Sequence, residues 1–192
     1  MSKHSFVYSI VEEFIEVDKQ TLKEIKKINL KKDKNLPSMV LTSYYNNNND
    51  LKKFLIKKLN NILKKYNLNI RNCWVQKYQK GHYHNVHTHS VYDKSFIWFI
   101  EGNEKSSPVK FYDIGYPLID TNQSCIIDFV AGKLLIFPGF IPHEVLPNPT
   151  TNRLIISGNV FYKEKIYNYS SSYIKRFSSF CCKLFFNEET SL

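Results

Sequence analysis

Alanine is almost missing from this chain of 192 residues, with Ala131 the single instance, while Lys and Asn abound. That skew follows an AT-rich coding sequence, so Lys and Asn abundance describes a genome rather than a site. Cysteine is scarce. Cys73, Cys125, Cys181 and Cys182 make no CxxC pair, and adjacent Cys181 and Cys182 make a poor disulfide framework. A disulfide-stapled scaffold is therefore excluded, and reduced thiols in a cytosol are expected. No apolar run approaches the ~18 residues of a membrane span. Met1–Ser9 is polar and mixed, unlike a secretory leader. No internal repeat is visible. Acidic residues are the minority, 17 against 27 basic ones, and the net charge is +10. That charge invites a nucleic-acid reading. Much of it, however, lies in Lys23–Lys34 and Lys52–Lys65, which read as helices with solvated faces. Nucleic acid is thus the less favoured partner, and an anionic small molecule or an acidic protein fits as well.

What is present is ordinary for one globular domain: 43% hydrophobic residues and 15% aromatic, including 13 Tyr and 14 Phe. Residues 6–17 alternate loosely and suggest a strand or two. Asp18 is placed to cap a helix running to about Asn29, with Leu22, Ile25 and Ile28 at helical spacing. Asp50 is placed to cap a second helix to about Tyr66. Its Leu51, Phe54, Leu55, Leu59, Ile62 and Leu63 form one stripe, and a β-sheet is the natural surface for it. From Asn72 the texture changes to short β-rich runs: 73–78, 95–101, 109–112, 125–130, 133–137, 143–146 and 154–162. Gly and Pro turns separate them, as in an antiparallel sandwich or barrel. The expectation is one α+β domain over residues 1–168, helical through 71 and β-rich from 72 to 162. The tail, 169–192, has Ile174, Phe177, Cys181 and Leu184 at helical spacing beside Lys175, Arg176 and Lys183. It reads as a packed terminal helix or as a basic amphipathic segment in weak membrane contact.

Of six histidines, His82, His84, His87 and His89 crowd one stretch, and His143 follows in Phe137-Pro-Gly-Phe-Ile-Pro-His143-Glu-Val. In an extended segment, residues i and i+2 point to one face, so His87 and His89 can offer two adjacent ligands. His82 and His84 share that spacing, so spacing alone leaves both pairs open. His143 lies about 55 residues on, where an antiparallel barrel brings a partner strand alongside. Neutral imidazole suits iron, zinc, copper and nickel. Further on, Arg153, Ile155, Ser157 and Asn159 share one face of a strand. An Arg there needs a partner for its charge, either an internal carboxylate or a ligand carboxylate gripped in bidentate fashion.

Together, Trp74…Gly81…His87-Thr-His89…Ser95, Gly132-Lys-Leu-Leu-Ile-Phe-Pro138…Pro142-His143-Glu-Val and Arg153…Ser157-Gly-Asn159 resemble the 2-oxoglutarate/Fe(II) oxygenases of bacteria and phages. These belong to the superfamily that includes prolyl hydroxylases. The resemblance covers about Asn72 to Tyr162. It implies a double-stranded β-helix (a jelly roll, cupin-like) with helices on its outer face, and a hydroxylase using Fe(II), 2-oxoglutarate and O2 on a small-molecule or peptide substrate. The location implied is cytoplasmic, or host-cytoplasmic for a viral or phage protein. His87 and His143 match the two metal histidines, and His89 stands where the superfamily usually has Asp or Glu. Arg153 matches the arginine that binds the distal carboxylate of 2-oxoglutarate. Ser157 and Asn159 match polar cavity positions, and Gln76 and Tyr78 lie on the strand entering the motif as cosubstrate contacts. Two departures stand out. Three neutral ligands leave the metal one unit more positive than two His and a carboxylate, with Asp93 the nearest substitute ligand in sequence. Ile155 stands where a Ser often follows the arginine. Two other classes fit the same residues: a cupin-like three-histidine metalloenzyme without 2-oxoglutarate, and a non-catalytic protein holding zinc in a closed site.

Overall fold

The computed structural model describes residues 8–33, 40–89, 94–114 and 119–163. In chain order they form β1 (Val11–Phe14), α1 (Lys19–Lys26), β2 (Lys31–Lys32), β3 (Leu41–Thr42), α2 (Asn49–Lys58), α3 (Asn60–Lys65) and β4 (Leu68–Tyr78). There follow β5 (His84–His87), β6 (Lys94–Glu101), β7 (Val109–Ile114), β8 (Ile119–Ile127), β9 (Lys133–Pro138), β10 (His143–Val145) and β11 (Arg153–Tyr162). One antiparallel sheet has the order β1-β9-β6-β11-β4-β3-β2, and a second has β5-β10-β7-β8. The expected helices-then-strands layout is the one observed, as the two sheets of a double-stranded β-helix. No described helix is long and apolar enough to cross a membrane.

The larger sheet sorts its side chains by the period of two that a strand imposes. Outward-facing Cys73, Val75, Phe96, Trp98, Ile100, Leu134, Ile136, Leu154, Ile156 and Val160 join Leu51, Leu55, Leu59 and Leu63 of the helical layer in one buried cluster. Each such leucine contributes roughly 1.5–3 kcal/mol of burial. Inward-facing Tyr78, Ile97, Phe99, Leu135, Phe137 and Ile155 meet Val109, Phe111, Ile127 and Val145 of the smaller sheet in a second cluster. Trp98 therefore packs on the helix side of the sheet. Gly158 sits where β11 passes closest to its neighbours: a Cβ there would lie 2.5 Å from the Asn72 carbonyl oxygen and 2.5 Å from the Phe96 ring.

Asp18 caps α1 as its sequence position implies, accepting from the Thr21 amide at 2.6 Å, and it also meets Lys58 at 2.6 Å, tying α1 to α2. The second helix departs from expectation. It starts after Asn48, not Asp50, and breaks at Leu59 into α2 and α3. Asn48 makes no side-chain cap bond; its Nδ2 donates to the Ser43 carbonyl at 2.7 Å. The break precedes Asn60-Asn61, both poor helix formers. Leu63 still donates its amide to the Leu59 carbonyl, so the apolar stripe continues. Asn67, at φ 54°, ends α3 in the left-handed conformation that Asn tolerates. Strands β2 and β3 were not expected. The helix proposed for Ile174–Leu184 lies outside the described residues.

Candidate metal centre

Strand β10 runs between β5 and β7, and its register sets His143 beside His87 on one side and Phe111 on the other. Strand β5 ends at His87, so His89 is delivered by the segment after the strand. Its backbone N–H donates to the Gly139 carbonyl at 2.7 Å. The donor atoms of His87, His89 and His143 all lie within 4.8 Å of one another. A set this close could hold one ion, whose metal–nitrogen bonds are ~2.1 Å long.

Hydrogen bonds decide which ring nitrogen faces inward. His87 Nδ1 meets the Asn85 carbonyl at 2.8 Å, and His143 Nδ1 meets the Ile141 carbonyl at 3.0 Å. His89 Nδ1 meets Asn159 Oδ1 at 2.7 Å. An oxygen of this kind only accepts, so each Nδ1 carries the proton and each Nε2 keeps a lone pair for a cation. Burial lowers all three pKa values: His143 falls well below the ordinary value and His89 to about 4. The imidazoles are thus neutral at pH 7, the form that ligates. Phe111 and Phe137 pack against His143, with ring centroids 5.6 and 4.9 Å away, and shield it from water.

His84 is a fourth imidazole of this interior. It stacks on His87 at 4.0 Å, lies 3.4 Å from both Gln76 Nε2 and Tyr78 Oη, and has its pKa pushed down to about 3 by burial and by its neighbours. It is not part of the three-histidine group. His82 is buried at the Gln79–His82 turn and belongs neither to that group nor to the cavity beside it. Asp93 lies outside the described residues.

Arg153 opens β11 opposite Tyr78 and is 0% exposed. Its Nε donates to the Ser107 carbonyl at 2.9 Å, and its guanidinium lies 4.5 Å from the Tyr78 ring centre. Nη1 and Nη2 have no hydrogen-bond partner among the described residues. Burial pulls the Arg153 pKa down and Tyr78 opposes the shift. The same burial pushes the Tyr78 hydroxyl up to about 12. Two residues the motif reading missed set this corner. Ser107 receives Nε, and Asn148, 1% exposed, accepts the Ser107 amide and donates to the Tyr78 carbonyl. Asn148 lies between Pro147 and Pro149, a rigid polar turn that could have drawn notice. Ser157 donates to Gln76 Oε1 at 3.1 Å, and Asn159 turns to His89 and Ser95. Ile155, 1% exposed, is part of the apolar wall.

A cavity of about 400 Å³ opens onto Gln76, His84, His87, His89 and Asn159. Its far wall is Tyr44, Tyr45 and Trp74, an edge-to-face aromatic series whose Trp74 stacks on His89 at 5.7 Å.

No protein-family model and no curated protein matches the sequence. Solved structures do match the fold. A 2OG-Fe(II) oxygenase family oxidoreductase from Burkholderia pseudomallei aligns over 79% of this chain and 84% of its own, with a TM-score of 0.59 at 10% identity. A prolyl-4-hydroxylase from Pseudomonas putida aligns over 82% and 94%, at 0.57 and 14%. HygX from Streptomyces hygroscopicus, solved with nickel, 2-oxoglutarate and hygromycin B bound, aligns over 81% and 84%, at 0.58 and 10%. The fold is that of the 2-oxoglutarate/Fe(II) oxygenases. On this oxygenase fold, the inner face of the larger sheet carries Arg153, the paired ends of β5 and β10 carry His87 and His143, and His89 follows two residues after β5.

Proposed function

We propose that residues 1–168 form an Fe(II)- and 2-oxoglutarate-dependent dioxygenase, a hydroxylase acting on a small-molecule or peptide substrate. One observation carries the reading. Two guanidinium nitrogens of a fully buried Arg153 have no hydrogen-bond partner among the described residues, on the same interior as three neutral imidazoles with inward lone pairs. A buried charge without partners is costly, and a carboxylate is its natural complement. A structural ion pair with an internal Asp or Glu would have consumed those nitrogens.

The donor set suits the cofactors. Three imidazoles bind iron, and also zinc, copper or nickel. Being neutral, they leave the ion its full charge, which favours an anionic cosubstrate. In this reading a dicarboxylate would bind with one end toward the histidines and the other on Arg153. Bound there, Fe(II) and 2-oxoglutarate would couple decarboxylation of the oxoacid by O2 to oxidation of a substrate C–H bond. The protein supplies orientation and dryness. Arg153 fixes the far carboxylate, Tyr78 and the Gln76–Ser157 pair offer polar contacts along the span, and Phe111 and Phe137 keep water from His143. The substrate enters on the Tyr44–Trp74 side of the cavity. HygX has this fold with nickel and 2-oxoglutarate bound, which makes these the ligands to test first.

The test is succinate formation from 2-oxoglutarate with Fe(II), ascorbate and oxygen, first without substrate and then with candidates, beside metal analysis of anaerobically purified protein. Succinate that requires both Fe(II) and oxygen is expected. Tightly held zinc with no turnover would sink the reading.

A further inference from the structure

His89 occupies a position where a carboxylate would ligate without help. A carboxylate offers equivalent oxygens, whereas an imidazole ligates only if the correct nitrogen has lost its proton. The chain therefore needs a device that an acidic ligand would not. His87 and His143 obtain theirs from backbone carbonyls two residues back in their own segments. His89 has a side chain from another strand: Asn159 Oδ1, 2.7 Å from Nδ1 and 70 residues away. The same oxygen accepts from Ser95 Oγ at 2.9 Å, and Ser95 is wholly buried.

We propose that Asn159 is a positioning residue that makes His89 a metal ligand, by accepting its Nδ1–H and so presenting a bare Nε2. The inference rests on the proposed metal centre but adds to it a residue that acts through His89 and is not itself one of the three ligands. Were the amide turned over, its NH2 would donate to Nδ1, the imidazole proton would move to Nε2, and the ligand would be lost. The oxygen is therefore the required group. Asp at 159 serves equally and makes His89 more basic, whereas Leu of similar size cannot serve. Ser95 reinforces the arrangement by donating to the same oxygen.

Binding of Co(II) to the full chain, by anaerobic calorimetry and visible absorption, reads this without turnover. Partners of this kind change metal affinity by about 10–100-fold. Asn159→Leu is expected to weaken Co(II) within that range and change the absorption bands. Asn159→Asp should keep or exceed wild-type affinity, with shifted bands. Ser95→Ala should lose severalfold. In a His89→Ala background, Asn159→Leu should have no further effect, because its whole action passes through that ring. Should Asn159→Leu fail to fold, the Asp and Ser95→Ala variants still decide. Wild-type affinity and bands in Asn159→Leu, an equal loss in Asn159→Asp and Asn159→Leu, or an undiminished effect without His89 would each overturn the proposal. Failure of the wild-type chain to bind Co(II) would instead overturn the metal centre itself.

Discussion

Replacing Arg153 by Met separates a ligand-binding arginine from a structural one. The guanidinium is fully buried, with one hydrogen bond to Ser107 and two nitrogens without a hydrogen-bond partner among the described residues. Removing it forfeits that bond, about 1.5 kcal/mol for a charged donor, and the contact with the Tyr78 ring, about 1–2 kcal/mol. It also removes the desolvation cost of a buried ion, several kcal/mol. These terms nearly cancel, so the ligand-free variant should melt within a few degrees of wild type, or above it. Binding of 2-oxoglutarate behaves differently. Two charge-assisted hydrogen bonds are worth about 3–5 kcal/mol together, which is a loss of affinity of roughly a hundredfold to a few thousandfold at 1.4 kcal/mol per tenfold. At 100 times Kd the wild-type protein gains about 2.7 kcal/mol, and its Tm should rise by roughly 5–10 °C. Thermal melts with and without 2-oxoglutarate, under nitrogen with Ni(II) present, read both quantities. An Arg153→Met protein that keeps the shift, or that binds 2-oxoglutarate as wild type does, refutes the cosubstrate assignment. One that collapses without ligand shows that the arginine is structural.

Other outcomes follow from the same geometry. His87→Ala and His143→Ala should each cost over ~100-fold in Ni(II) affinity, more than loss of a supporting hydrogen bond. His84→Ala should still bind one ion per chain, since it removes a stacked ring and no donor of the group; calorimetric stoichiometry checks this. Gly158→Ala drives a Cβ into a backbone oxygen that cannot yield, costing about 1–3 kcal/mol; a lower urea midpoint is expected, and an unchanged one would contradict the close approach. Acidification should weaken the metal-free fold. His84 and His89 titrate at about 3 and about 4 when folded, against ~6.5 when unfolded. The unfolded chain therefore takes up protons first, and the stability present above pH 6.5 drains away as pH falls toward those values. Urea midpoints from pH 8 to 5 should be level and then fall. In a protein with both residues changed to Asn the fall should be shallower.

The strands of the larger sheet were legible because the signal is local. In 73–78, 95–101, 133–137 and 154–162, alternate residues face the helices and the interior, and neighbours in sequence suffice to say so. The leucine stripe of the second helix was legible for the same reason, at a different period. Its start and its break were not: the helix begins at Asn49 with no side-chain cap from Asn48, and it breaks at Leu59 before Asn60-Asn61. The short β2 and β3 carry no pattern of their own and exist through pairing with β4. The register of β6 puts Trp98 on the helix side and Phe99 on the interior side.

By itself, then, the sequence determined which residues could do chemistry: a histidine pair at i and i+2, a distant third histidine, and a strand face holding Arg153, Ser157 and Asn159. Spacing could not choose between the His82–His84 and His87–His89 pairs; that choice came from the family resemblance. Only the tertiary structure decided how these residues are used. The β5–β10 register sets His87 beside His143, the Gly139 carbonyl places His89 beyond the end of its strand, and Asn159 faces His89 while Ser157 faces Gln76. Among the described residues Arg153 finds a backbone carbonyl at Ser107 and no acid. Such facts depend on strand pairing across long loops and on which oxygen meets which nitrogen. The residues adjacent in sequence do not fix either.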